Sequence, residues 1–244
     1  KEIAEKNNFC IIEDASHSPG AWKYNKKNEK IYSANGIHAL ASTLSFHPVK
    51  HICAGEGGAV LTNDSKVAEK AAQLRSHGIT RPFNEIDEKP WYYEQEDLGW
   101  NYRLTDLQAT LGLSQLSRLE QFLTQRRALA KRYDQILKQS PFREHIQCPP
   151  FEDGHSWHLY IIRFIDPSLR NQAYKFLKSK NILTQVHYIP VYKHPFYKKN
   201  LQEFSLPGAE AFYQSCLSIP MYPDLKQKEQ DHVLNSLEAF ITQG

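Results

Sequence analysis

The sequence predicts an α/β fold that gives way to a smaller α+β unit, and three observations predict it. Short apolar runs end abruptly in polar strings, the pattern of parallel strands buried on both faces. Apolar residues at helical spacing fill the stretches between those runs. The pattern then changes after Pro149-Pro150, where a strand, a helix and a second strand follow closely. At 244 residues, 41% of them hydrophobic, the chain is long enough to bury one large core or two smaller ones.

Lys1 to Asn8 reads as the tail of an amphipathic helix with nothing before it, so a preceding N-terminal segment is expected. Phe9 to Glu13 reads as a buried parallel strand that stops in the polar string Glu13-Asp14-Ala15-Ser16-His17. Ile37 to Leu40 and Thr43 to Phe46 read as short strand segments, and Gly55 to Gly58 as a turn into a strand over Ala59 to Thr62. Asn63 or Asp64 caps a helix that runs to about His77 and stops at Gly78, its Val67, Ala71 and Leu74 turned toward a sheet face. A polar, aromatic loop from about Thr80 to Trp100 follows.

Thr105-Asp-Leu-Gln108 is a capping box that opens one long helical stretch to about Lys138, with Leu104, Leu107, Leu111, Leu119, Phe122 and Leu129 as its apolar stripe. The basic segment Gln125 to Arg132 is expected on an exposed face of that helix. Trp157 to Phe164 reads as a strand, Asp166-Pro167 as the start of a helix to about Lys180, and Ile182 to His187 as a second strand. Helices over about Pro207 to Leu217 and Gln227 to Ile241 complete a separate α+β unit. The boundary between the two domains is expected inside the long helix, giving residues 1–122 and 123–244.

Composition narrows the function classes. Thirty basic and 27 acidic residues are mixed along the chain for a formal charge of +3, without the one-signed field that nucleic acid or anionic membrane attracts. Cys10, Cys53, Cys148 and Cys216 lie far apart and never form a C-x-x-C pair, which disfavours zinc and a disulfide framework and suits a reducing cytoplasm. No apolar run reaches the roughly 18 residues of a membrane span. His155 and His158 lack a carboxylate or thiol at ligand spacing, so structural roles are expected for both and no metal site is expected.

The chemistry points to two residues. Lys50 ends an apolar strand and precedes a glycine-rich turn, a setting in which an amine is partly desolvated and nucleophilic. Asp14 sits where a parallel strand stops, the edge at which ligands of open α/β sheets gather, although a turn or cap aspartate explains it as simply. A pyridoxal cofactor needs an amine to capture its aldehyde and a carboxylate to keep its ring nitrogen protonated, and Lys50 with Asp14 supplies that pair. The Ser45 hydroxyl and the His17 imidazole are the nearby candidates for phosphate and ring.

Four strings in order, EDASHSPGA at 13–21, SFHPVK at 45–50, GEGGAVLTND at 55–64 and GWNYRLTDLQATLGLSQL at 99–116, resemble the DegT/DnrJ/EryC1/StrS aminotransferase family. The resemblance runs from about Phe9 to the C terminus. It implies a fold type I PLP-dependent transferase-like architecture, with residues 1–122 the C-terminal part of the cofactor-binding large domain and 123–244 the small domain. It implies pyridoxal 5'-phosphate held by Lys50, with Asp14 on the pyridine nitrogen, His17 against the ring, and Ser45 near phosphate or substrate. Asn101 matches a residue that the family sends into the neighbouring subunit's site, which implies a homodimer with shared active sites.

The string from Thr184 to Pro195 looks most like the branch that aminates UDP-linked 4-keto-6-deoxy-N-acetyl sugars on the way to pseudaminic acid. By that likeness Gln185, His187 and Tyr188 face a nucleotide-sugar substrate, and an amino acid, glutamate, is the donor. Relatives that act as sugar dehydratases carry histidine where Lys50 stands, so transamination is expected here. The rival reading is a non-catalytic sugar-nucleotide-binding or regulatory module, because the family's first half of the large domain has no counterpart in these residues.

Overall fold

The computed structural model describes residues 1–81, 89–200 and 204–243 and divides into two units, Lys1–Gln121 and Phe122–Gly244. Helix and sheet are mixed in both, as the sequence predicts. Residues 82–88 of the expected loop lie outside the described residues.

The first unit opens with α1 (Glu2–Asn7), ended by Asn8 in the left-handed region at φ 52°. Strand β1 (Ile12–Asp14) is followed by a hairpin of β2 (Trp22–Tyr24) and β3 (Lys30–Tyr32), then by β4 (Ala41–Ser45) and β5 (Gly58–Leu61). β1 runs parallel to β4 with Ile12 against Ala41 and Asp14 against Thr43, and β4 pairs antiparallel with β5, giving the order β1-β4-β5. Ala15 extends the ladder by donating its amide to Thr43 O at 2.9 Å.

Two expectations for this region change. The first strand starts at Ile12 instead of Phe9, and it is not buried: Phe9 is 54% and Ile12 59% exposed, because β1 is an edge strand among the described residues. Residues 37–40 form no strand. Gly36 turns the chain at φ 72° and the Asn35 carboxamide oxygen accepts the Ile37 amide at 3.0 Å, an Asx turn that delays the strand to Ala41. The β2–β3 hairpin carries no alternation clear enough to be read in advance.

Helix α2 (Ser65–Arg75) is capped by Asp64, whose carboxylate accepts the Val67 amide at 3.0 Å. Its Val67, Ala71 and Leu74 are only half-buried, so the covering of the sheet face is partial. Short strands β6 (Ile79–Thr80) and β7 (Glu94–Gln95) pair antiparallel. The capping box is present, with Thr105 and Gln108 bonded reciprocally at the start of α3 (Asp106–Leu116). The expected single long helix is broken: at Ser117 the hydroxyl takes Ser114 O at 2.8 Å and the turn tightens before α4 (Leu119–Leu137). The stripe therefore holds on α4, where Phe122 and Leu123 are buried, and fails on α3, which buries none of its residues.

In the second unit, β8 (Ile146–Gln147), β9 (Tyr160–Phe164) and β10 (Cys216–Ile219) form an antiparallel sheet of order β10-β9-β8. Helices α5 (Leu169–Ser179), α6 (Pro195–Asn200), α7 (Pro207–Ser215) and α8 (Gln227–Gln243) complete it. The helix expected to reach Leu217 stops at Ser215, because all four residues of β10 are buried and a fully buried run carries no period that separates strand from helix. The strand expected over 182–187 reduces to a single bridge between Gln185 and Ser218.

The core of this unit joins Tyr133, Leu137, Trp157, Tyr160, Leu177, Leu217 and Leu237, each at most 2% exposed. The basic segment of α4 is not all solvent-facing as expected. Arg126 is buried and donates from one nitrogen to Trp157 O, His158 O and Met221 O at 3.0–3.1 Å, and burial pushes its guanidinium down to about 10. His155 accepts the Trp157 amide on Nδ1 at 2.8 Å, holding Trp157 at φ 49°. Among the described residues no helix is long and apolar enough to cross a membrane.

Leu237→Ala, which deletes a fully buried side chain from this core, is expected to cost about 2–5 kcal/mol of unfolding free energy. Denaturant unfolding measures it, and a loss under 1 kcal/mol would contradict the packing described.

Candidate active site

Asp14 ends β1 and Ser45 ends the parallel β4, so both project from the carboxyl edge of the same pair of strands. After Ser45 the chain makes a short closed loop. Phe46 O accepts the Ala54 amide at 2.9 Å, and within that closure the Lys50 amide donates to His47 O at 2.9 Å. The glycines that follow are structural: a Cβ at Gly58 would lie 2.6 Å from Leu44 O, and Gly57 turns at φ 145°. The loop thereby returns the chain to β4's edge as β5, with Lys50 on the side of Asp14.

The electrostatics bind these groups together. The Asp14 carboxyl is held below its ordinary value by hydrogen bonds from the Ser16 hydroxyl and amide, the latter at 3.0 Å, with the charges of His17 and Lys50 adding to the effect. The Lys50 amine is held below the ordinary lysine range by desolvation, and Asp14 pulls it back up. A lowered amine and a carboxylate kept ionised facing each other form a nucleophile with a fixed counter-charge. That donor set fits a pyridoxal ring: the amine for its aldehyde, the carboxylate for its nitrogen.

Ser45 hydroxyl faces its own loop, accepting the His47 amide at 3.5 Å. Ser16, which holds Asp14, was not singled out from the sequence. The signal was there, since Asp-x-Ser at a strand end is an Asx turn. His51, beside Lys50, is 2% exposed, and no local pattern in the sequence marks it as buried.

Asn101 is placed apart from this cluster. The amides of Trp100 and Tyr102 donate to Leu74 O at 2.7 Å and Arg75 O at 2.9 Å, so the segment caps the carboxyl end of α2 and presents Asn101 at the surface. A Cβ at Gly99 would lie 2.1 Å from the Gly78 amide nitrogen, which requires the two backbones to touch. A groove of about 1390 Å³ lined by Phe46, Val60, Trp100, Tyr102 and Leu104 also lies on this unit, and none of the predicted site residues lines it.

In the second unit Gln185 exchanges both backbone hydrogen bonds with Ser218, at 3.2 and 2.7 Å. His187 Nδ1 lies 2.7 Å from the Ser218 hydroxyl, and the Tyr188 ring, 61% exposed, meets the His187 ring edge-on at 4.6 Å. These three candidates therefore form one cluster against β10.

Comparison with known proteins follows the same lines. The model of the DegT/DnrJ/EryC1/StrS aminotransferase family matches residues 1–238. A Campylobacter jejuni protein named UDP-4-amino-4,6-dideoxy-N-acetyl-beta-L-altrosamine transaminase is 35% identical over 241 residues, covering 98% of this chain and 60% of that protein. The solved structure of Helicobacter pylori PseC, an aminotransferase of pseudaminic acid biosynthesis, superposes with a TM-score of 0.87 at 32% identity, over 100% of this chain and 62% of that one. Bacillus subtilis NtdA, solved with bound cofactor PMP, matches with a TM-score of 0.81 at 26% identity, over 99% of this chain and 52% of that one. The architecture is thus that of the fold type I PLP-dependent aminotransferases. The chain spans about 60% of the length of the curated relatives it matches.

Asp14→Asn is expected to lower the Lys50 amine further, since desolvation stays while the facing negative charge goes. Reductive methylation across a pH series, read at Lys50 by peptide mass spectrometry, should show reaction beginning at lower pH in D14N. Superimposable profiles would remove Asp14 from the surroundings of Lys50.

Proposed function

Because the chain belongs to the DegT/DnrJ/EryC1/StrS aminotransferase family, we propose that it serves a pyridoxal-phosphate-dependent transamination in which a nucleotide-linked 4-keto-6-deoxy sugar becomes its 4-amino sugar, with glutamate as the amino donor. The observation that carries this reading is the desolvated Lys50 amine facing the hydrogen-bonded Asp14 carboxylate at the carboxyl edge of β1 and β4. The relatives named as transaminases in Campylobacter jejuni and Helicobacter pylori support the sugar.

When bound, pyridoxal phosphate supplies an aldehyde for amine capture and a ring that accepts an electron pair. The chain's residues do the rest. Lys50 Nζ would hold the cofactor by its aldehyde and would serve as the acid–base group that moves the proton at the donor's α-carbon and at the sugar carbon that receives nitrogen. Desolvation holds its amine below the ordinary lysine range, the direction that favours a base in that role. Asp14 would hold the proton on the ring nitrogen, His17 would contact the ring, and the Ser45 hydroxyl would bond phosphate or substrate. Gln185, His187 and Tyr188 contact the sugar nucleotide.

The partner is a second copy of the chain, with Asn101 reaching into its site. Helix α3 supports this, because it buries none of its residues while Leu107 and Leu113 are 86% and 69% exposed, an apolar face that water disfavours.

Titration of the purified protein with pyridoxal phosphate should raise a near-visible absorbance band, and borohydride should then fix the label on Lys50 by peptide mapping. K50A should show neither. A band in K50A equal to the parent's, or a label on another lysine, would overturn the assignment. Leu107→Glu is expected to shift the protein from dimer toward monomer in sedimentation velocity, and an unchanged dimer would place the contact elsewhere.

A further inference from the structure

One charged group beside the site takes no part in the chemistry above. Glu13 lies between Ile12 and Asp14 on β1, so the strand's alternation turns its side chain to the face opposite Asp14. Its carboxylate is an acceptor hub. Oε1 accepts the Ser33 hydroxyl at 2.9 Å and the Ala34 amide at 3.1 Å, and Oε2 accepts the same amide at 3.1 Å and the Ser42 hydroxyl at 3.0 Å. Among the described residues no cation forms an ion pair with it. A half-buried carboxylate satisfied by neutral donors is a structural knot, since each of those hydrogen bonds is charge-assisted.

The knot reaches the turn that follows Asp14. Ser33 Oγ lies 2.6 Å from Ser18 Oγ. Ser33 has a single hydroxyl proton and gives it to Glu13, so the short contact is made with the Ser18 hydroxyl donating, in preference to its longer 3.4 Å contact with Ala15 O, and the chain of bonds runs Ser18 to Ser33 to Glu13. Ser18 in turn closes the turn that carries Ser16 and His17, its amide donating to Ala15 O at 3.0 Å. The same knot holds Ala34 at φ 59°, a left-handed conformation that a residue with a Cβ disfavours and that outside bonds must hold. Ser42, fully buried on β4, faces Glu13 in register and fixes the lower end of the knot to the strand that leads to Lys50.

We propose that Glu13 is a positioning residue, whose carboxylate, acting through Ser33 and Ser18, fixes the 15–18 turn and with it the placement of Asp14 and His17 against the cofactor. The relevance to cofactor rests on the function proposed above. The anchoring of the turn does not.

Two readouts test it on the purified protein, and the parent is measured beside Glu13→Ala, Ser18→Ala, the double variant and Glu13→Gln. Hydrogen exchange of residues 14–21 is expected to quicken at least tenfold in E13A. Affinity for pyridoxal phosphate should fall about tenfold, with a shifted pH midpoint of the near-visible band. The double variant should be no worse than E13A alone, because both sever one chain of bonds. E13Q, which keeps one acceptor oxygen, should recover most of the loss. Leu237→Ala, which weakens the other unit's core, should move neither readout. If E13A does not fold, Ser33→Ala cuts the same chain and takes its place.

Unchanged exchange over 14–21, or simple addition of the E13A and S18A losses, would overturn the proposal. If the parent captures no pyridoxal phosphate at Lys50, it is the proposed function that falls. The exchange arm then decides Glu13 alone: quickening confined to 14–21 upholds the anchor, and uniform quickening or none overturns it.

Discussion

Because β1 and β4 run parallel, with Asp14 opposite Thr43, the carboxyl ends of both strands point the same way, and Asp14 and Ser45, with the loop that carries Lys50, gather on one edge. An antiparallel pairing would send Asp14 and the Ser45–Lys50 loop to opposite edges. The register matters as much as the direction, since a slip of one residue would exchange Asp14 and Glu13 between faces. The bond from the Ser42 hydroxyl on β4 to the Glu13 carboxylate opposes that slip, and those from Ser33 and Ala34 hold the same side chain in place.

The two units achieve definition by different means. In the second, a continuous core of aromatic and aliphatic side chains surrounds β9 and β10, and Arg126 enters it only because three carbonyls receive its guanidinium. In the first, the buried apolar residues among those described are Ala4, Ala15, Ala41, Ile52 and Ala54, too small to set geometry by packing. What sets it is polar and local: the Asp64 and Thr105 caps, the backbone contact of Gly78 with Gly99, and the Glu13 knot. Such a unit leaves apolar side chains of α3 and β1 exposed among the described residues.

Legibility in the sequence follows the same division. Elements with a punctuating residue were readable: the Thr105–Gln108 capping box, the Asp64 cap and the Gly55–Gly58 return are all where the residue types require them. Elements defined by burial alone were not. Cys216 to Ile219 reads equally as helix or strand, and Ile182 to His187 has the composition of a strand but finds only Ser218 as a partner. The Asp14 and Lys50 pair was legible because each stands at a strand end in a recognisable string, whereas Ser16 and Glu13 act through contacts with residues whose approach only the folded chain shows.

The lowered Lys50 amine also follows from this economy. A lysine buried in an apolar core is pushed toward its neutral form, and one in open water keeps its charge at neutral pH. Lys50 lies between these limits, since desolvation lowers its amine and the Asp14 carboxylate raises it part of the way back. The parallel pairing of β1 and β4 is what puts Asp14 and the loop that carries Lys50 on one edge. A shift of β1 against β4 would therefore weaken the pull of Asp14 on the Lys50 amine.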